Sequence, residues 1–265
     1  MAGLAGPPFG RGTVTWRVNL EPVTFLGASR ALLLQVAHPL VAAGVAQHSD
    51  YTRDPWRRLF RTLDLMVKLG FGSPEVSERQ RRRLLATHAQ VHGVAPGGVP
   101  YRALDPDLMM WVLATLIDTS VVTFELVLGP LPAADRERYY QESRGSALAI
   151  RIDGAHVPAS WPEFEAYVAR VVDSELRVTP EAMAVARSTF ELRRPTGIGP
   201  VVGRASRLLA AGLLPEPVRI GYGLAWDERS SRRLDRVLAA ARILSRLTPR
   251  SVRRLPVTLV AQRRP

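Results

Sequence analysis

The chain has no cysteine in its 265 residues. Disulfides, thiolate catalysis, iron–sulfur clusters and thiolate-ligated haem are therefore excluded, and any metal must be held by histidine, carboxylate, tyrosine or methionine. Lysine is almost as scarce: Lys68 is the only one, so the balance of 36 basic over 24 acidic side chains, +12, is carried by arginine. Arginine stays charged and pairs with carboxylates and phosphates through two parallel hydrogen bonds. Such a surface suits nucleic acid, anionic substrates or the carboxylates of a prosthetic group. No charged, then apolar, then cleavable leader opens the sequence. The most apolar stretch, 31–46, is interrupted by Gln35, His38 and Pro39, too polar and too short for a bilayer span. The expected protein is soluble and cytoplasmic, with no membrane span.

Strand-like alternation is also missing, apart from short patches at 13–16 and 256–260, and helical periodicity dominates. Residues 1–26 read as an N-terminal arm, 27–250 as a single helical domain and 251–265 as a basic C-terminal tail. The first buried helix covers 27–49, and Pro39 should kink it. His38 and His48 on that helix read more readily as satisfied core residues than as ligands. Asp54-Pro55 pairs an N-cap acceptor with proline at the first helical position. Trp56, Leu59, Phe60, Leu63, Met66 and Val67 follow at helical spacing, and Gly70 and Gly72 stop the helix. Ser73-Pro74 opens a second helix, which carries Glu78 and the basic run 79–83, part of it a solvated face. It continues through His88 and His92, until Gly93 and Gly97-Gly98 end it.

Asp105-Pro106 repeats the start signal ahead of a strongly apolar helix, the expected core element. Asp118, Thr119, Ser120 and Thr123 lie inside it and need partners or a pocket to face. Further helices are expected over 132–149, 160–176 and 179–193. A Gly/Pro break covers 194–203, and helical pieces follow at 204–211, 217–222 and 227–247. The expected fold is all-α, a globin-like helical bundle of roughly eight to ten helices.

The usual catalytic signatures are absent. There is no HExxH for zinc, no phosphate-binding loop, no GxGxxG after a strand and no GxSxG elbow. No histidine has a glutamate three residues before it, so the paired Glu-x-x-His of a di-iron bundle is missing too. What remains is histidine on apolar helices, abundant arginine and a large helical core. That combination suits a b-type haem: an imidazole for the iron, guanidiniums for the propionates and an oily cavity.

Several motifs, in order, resemble one family. GASRALLLQVAHPLVAAGVAQHS is followed by DP-x-x-R-L-x-x-T, then by H-x-x-V-x-G, Y-x-A-x-DP and a Trp-bearing helix start. Weaker matches follow at GLLP (212–215) and R-x-x-YGL (219–224). Together they resemble the DUF2236 family of MpaB-type oxygenases and latex-clearing rubber oxygenases. The resemblance implies a helical fold that binds haem b through one histidine. The histidine of H-x-x-V-x-G falls on His88, the implied iron ligand. His92, where relatives often carry arginine, is a second candidate, one turn further along the same expected helix face. The Arg and Thr of R-x-x-x-T fall on Arg58 and Thr62. Arg58 would anchor a propionate or order the pocket, and Thr62 would hydrogen-bond near haem or dioxygen. A structural ion pair and a helix-facing hydroxyl are the plainer roles for these two residues.

Two departures stand out. Leu113 replaces the histidine that many relatives carry after Trp-Val, and Gln47 occupies the slot of an acidic base, so polyisoprene cleavage does not carry over. The expected activity is a haem-dependent oxygenase acting on an apolar or aromatic small molecule with dioxygen, with a possible electron donor and without nucleic acid. The alternatives are a colourless helical protein that binds nucleic acid or acidic partners, and a haem sensor or carrier without turnover.

Overall fold

Helices begin where the sequence places capping side chains. The structure, a computed structural model, describes residues 9–49, 55–191 and 199–262, with all side chains among them except those of 55–60, 256 and 260–262. Asp54 lies outside the described residues. The other marked starts hold: the side chains of Ser73, Asp105, Ser160, Thr179 and Asp227 each accept from a backbone N–H two or three residues on, satisfying donors that a helix leaves open at its first turn.

The fold is all-α, as expected, with thirteen α-helices among the described residues. They are α1 Val14–Asn19, α2 Ala28–Ala37, α3 Pro39–His48, α4 Pro55–Phe71, α5 Pro74–Ala89, α6 Pro106–Leu128, α7 Ala133–Ala149, α8 Trp161–Ser174, α9 Pro180–Phe190, α10 Gly199–Leu213, α11 Glu216–Gly221, α12 Glu228–Leu247 and α13 Arg250–Gln262. Two of the additions to the predicted set are α1 and α13, where the sequence showed strand-like patches. Thr13 caps α1 through its side chain, and Glu142 of α7 accepts from the backbone N–H groups of Val14 and Thr15. A carboxylate at a helix start is favoured by the helix dipole. With only six residues in α1, this tertiary cap outweighs the β propensity of Thr13-Val14-Thr15. A third addition comes from Pro39. It does more than kink the first apolar helix: His38 takes an extended backbone, and α2 and α3 diverge by 102°.

The core lies between α2, α6, α7, α8 and α9. Trp111 of α6 is fully buried and donates its indole N–H to the Leu34 carbonyl, and Tyr222 donates to the Leu33 carbonyl. Both bonds hold polar tips inside an apolar interior, as burial requires. Burial pushes the Tyr139 hydroxyl up to about 12. The chain enters α2 through Gly27, whose added Cβ would lie 2.2 Å from the Thr119 methyl, so only glycine allows the backbones to approach so closely there.

Three of the polar residues of α6, Asp118, Thr119 and Thr123, have partners within the protein. Arg30, buried on α2, donates to Thr119 Oγ1 at 2.6 Å and to the Leu213 carbonyl at 2.7 Å, and pairs with Asp118 at 2.6 Å. Thr123 donates to the Thr119 carbonyl. The partners that these side chains need are thus supplied by the α2–α6 seam.

At the other end of the fold, Glu21 is 1% exposed, and Arg253 and Arg254 of α13 close on its carboxylate. Val257 of α13 packs beside Leu20 and Val67. By length and composition α6 could cross a membrane, but half of its most apolar window is buried inside the protein.

Candidate active site

Helices α4 and α5, joined through Gly72-Ser73, are in contact and carry three of the predicted residues, Arg58, Thr62 and His88. Arg58 and Thr62 are four residues apart on α4, on one face. The side chain of Arg58 lies outside the described residues, and that of Thr62 is exposed. His88 sits in the last turn of α5, where the helix dipole favours a cation. It is half-buried, and its Nδ1 is screened from solvent. Leu63, Leu65 and Met66 on α4 and Leu84 and Leu85 on α5 are half-buried as well.

His92 does not share that face. Helix α5 ends at Ala89, and His92 opens a short strand, β1 His92–Val94, paired antiparallel with β2 Pro100–Arg102. The reason is local: Gly97 and Gly98 both take positive φ, +89° and +82°, the conformation of a tight hairpin turn. Once that turn forms, residues 92–94 are held in a ladder and cannot continue the helix. The His92 side chain is exposed, and its carbonyl accepts from His48 Nε2 at 3.0 Å. Gln47 is engaged in the same place: Tyr101 donates to its amide oxygen at 2.7 Å, and its amide nitrogen donates to the Val94 carbonyl at 2.9 Å. Gln47 is thus an amide that pins the hairpin to α3.

The arginine run of α5 divides as its spacing implies. Arg79, Arg82 and Arg83 are exposed, while Gln80 is buried. Arg81 forms two hydrogen bonds to Glu78 and one to the Ala149 carbonyl at the end of α7. Arg81 and Arg82 hold the Glu78 carboxyl at about 2, well below the usual carboxylate range. Other arginines are held in ion pairs within the protein, among them Arg17–Asp135, Arg136–Glu125 and Arg30–Asp118; these pairs leave the net positive charge unchanged.

One residue that the sequence did not single out is Arg144 of α7, whose Nε is buried without a hydrogen-bond partner among the described residues. The i, i+4 spacing to Tyr140 on a mixed helix was the available signal. His38 is buried beside Glu175, with 3.7 Å between Nε2 and Oε2, and burial lowers its proton affinity against the pull of that carboxylate. Its Nδ1 has no partner among the described residues. No group of three or more His, Asp or Glu side chains among the described residues could hold a metal ion. A separate cleft of about 310 Å³ lies between α3 and α9, lined by Val45, Ala46, Ser49, Pro180, Glu181, Ala184 and Val185. It contains none of the four predicted residues.

Residues 16–243 match the family described as "ER-bound oxygenase mpaB/B'/Rubber oxygenase, catalytic domain". Two mycobacterial proteins are similar over most of their length: the uncharacterized protein Mb2261 of Mycobacterium bovis and the uncharacterized protein Rv2237 of Mycobacterium tuberculosis. Each is 25% identical over 225 residues, spanning 82% of this chain and 87% of the relative. No solved structure matches. The motifs anchored on His38, Arg58 and His88 all fall within the matched span, and the chain belongs to the mpaB/rubber oxygenase catalytic-domain family.

Proposed function

We propose that this oxygenase-family protein is haem b-dependent, with His88 as the axial ligand, and that it oxidises an apolar or aromatic small molecule with dioxygen. The observation that carries the proposal is the position of His88. It is a half-buried imidazole with a screened ring nitrogen, at the end of a helix pair whose apolar side chains the protein covers only partly. The residue types fit a b-type haem: one imidazole, an apolar wall from Leu63, Met66, Leu84 and Leu85, and guanidiniums on the same pair of helices for its carboxylates. Bound there, ferrous haem would supply the one-electron chemistry that lets dioxygen react with a closed-shell substrate.

The protein's own part is binding and orientation. His88 holds the iron and, in the last turn of α5, tolerates the positive charge. Arg58 offers a bidentate partner to a carboxylate. Thr62, one turn on, offers a hydroxyl that donates to a developing negative oxygen or to the substrate. Leu84 and Leu85, one turn before His88 on α5, would exclude water from that side of a bound haem. No general base is assigned: Gln47 is an amide, held by Tyr101 and the Val94 carbonyl.

The visible spectrum of the purified protein after haem addition tests the assignment. A Soret band is expected; His88→Ala should lose it, and His92→Ala, altering an exposed strand residue, should keep it. No Soret band in the parent protein would end the haem proposal. Haem binding with no dioxygen consumption across apolar and aromatic substrates would leave a carrier or sensor in place of an enzyme.

A further inference from the structure

The last two helices leave an oily face uncovered. On α12, Ile243, Leu244 and Leu247 are 58%, 67% and 77% exposed. After the turn at Thr248-Pro249, Val252, Leu255 and Leu259 of α13 are each at least half exposed. These are not scattered residues. The inward side of α12 is set by Leu234, Leu238 and Ser245, and Ile243 and Leu247 lie on the opposite side, one turn apart. The inward side of α13 is set by Arg253, Arg254 and Val257, and the spacing 252, 255, 259 runs along its outer side. Arg253 also donates to the carbonyls of Ser245 and Thr248, tying the start of α13 to the end of α12. The two outward stripes therefore belong to one braced corner.

The charge along this stretch of chain has one sign, although Arg253 and Arg254 face inward onto Glu21 and Arg232, one turn before Arg236, pairs with Glu228. Residues 236–265 include eight arginines and no aspartate or glutamate. Arg232 and Arg236 lie on the outward stripe of α12, behind Ile243 and Leu247 at helical spacing. Arg246 and Arg250 are exposed at the turn itself. Contiguous exposed apolar side chains mark an interaction surface. Apolar residues flanked by cations and lacking anions match the interfacial zone of a bilayer, where alkyl chains receive leucine and anionic headgroups receive guanidinium. A second copy placing the same face against this one would bring the arginines together.

We propose that the α12–α13 corner docks on an anionic phospholipid surface, with Ile243, Leu244, Leu247, Val252 and Leu255 entering the headgroup region and Arg246 and Arg250 pairing with phosphate. The proposal does not depend on haem: the apoprotein would dock as well. The full chain, sedimented with phosphatidylcholine vesicles containing phosphatidylglycerol and with pure phosphatidylcholine vesicles, tests it. Binding is expected to the mixed vesicles, to weaken as salt is raised, and to fall by at least about tenfold in Leu247→Glu and in Ile243→Glu. Both positions are exposed, so helical circular dichroism should be unchanged. Arg246→Ala with Arg250→Ala should weaken binding to the mixed vesicles alone and serves as the second arm should a glutamate variant misfold. Equal binding by parent and variants, absence of binding to mixed vesicles, or binding to a DNA duplex but not to vesicles would overturn the proposal. So would a dimer by light scattering that Leu247→Glu converts to monomer.

Discussion

Helices α2 and α5 differ in how they are held. Seven of the ten residues of α2 are buried, among them a guanidinium whose donors reach a carboxylate, a hydroxyl and a carbonyl. Of the sixteen residues of α5 only Gln80 is buried. The α2–α6 seam is complete within the protein, whereas the α4–α5 pair carries half-covered leucines and an imidazole. The difference separates what stabilises this fold from what is available for chemistry. In a helical protein most stability comes from packed apolar faces, so the residues left half-covered are where a ligand can add burial.

The largest expected effect lies in the seam. Asp118→Ala strands the buried Arg30 charge and should cost about 3–5 kcal/mol by denaturant unfolding; a loss below ~1 kcal/mol would show that the seam is not what holds the fold. Gly27→Ala forces a Cβ against the Thr119 methyl and should cost about 1–3 kcal/mol by overpacking, measured in the same way. Across the comparison, His88→Ala should change apoprotein stability by less than about 1 kcal/mol, because the side chain is only half-buried, while removing haem affinity. A larger stability loss would make His88 a core residue and erase the contrast.

The smallest effects are in pH dependence. Burial lowers the affinity of His38 for a proton below that set by its ordinary value of 6.5. The unfolded chain then binds more protons near and below that value, so stability falls as pH drops through about 6.5. His156, exposed and hydrogen-bonded to Asp107, shifts the other way. Its contribution is full below 6.5 and fades as pH rises through its raised folded value. His38→Gln should flatten the acid limb of a stability–pH curve, and His156→Gln the weaker alkaline one. Unaltered curves in both variants would remove these two histidines from the pH response.

The capping pairs and the apolar core helix were legible in the sequence because their causes are local. Asp105-Pro106, Ser73-Pro74 and Ser160 with Pro162 each mark a helix start through groups only a few residues apart. The strands at 92–94 and 100–102 were missed because Gly97-Gly98 is as good a turn as it is a helix stop, and only the pairing decides. The placement of His92 went with them. Helix α1 was missed for the opposite reason: its first amides are satisfied by Glu142, 127 and 128 residues away. His88 was singled out by its motif, but its place in the last turn was not, because the helix was expected to run on to Gly93 and ends at Ala89; the exposure of Thr62 depends on packing that no local spacing encodes.

The clamp on Glu21 has a consequence for the order of assembly. Its carboxylate is translated 232 and 233 positions ahead of its guanidinium partners. A sealed acid without a counterion is costly, so the segment around Glu21 settles into its final place only once Arg253 and Arg254 are present. Closure waits for α13, and a nascent chain halted before Arg253 would leave this acid open to water.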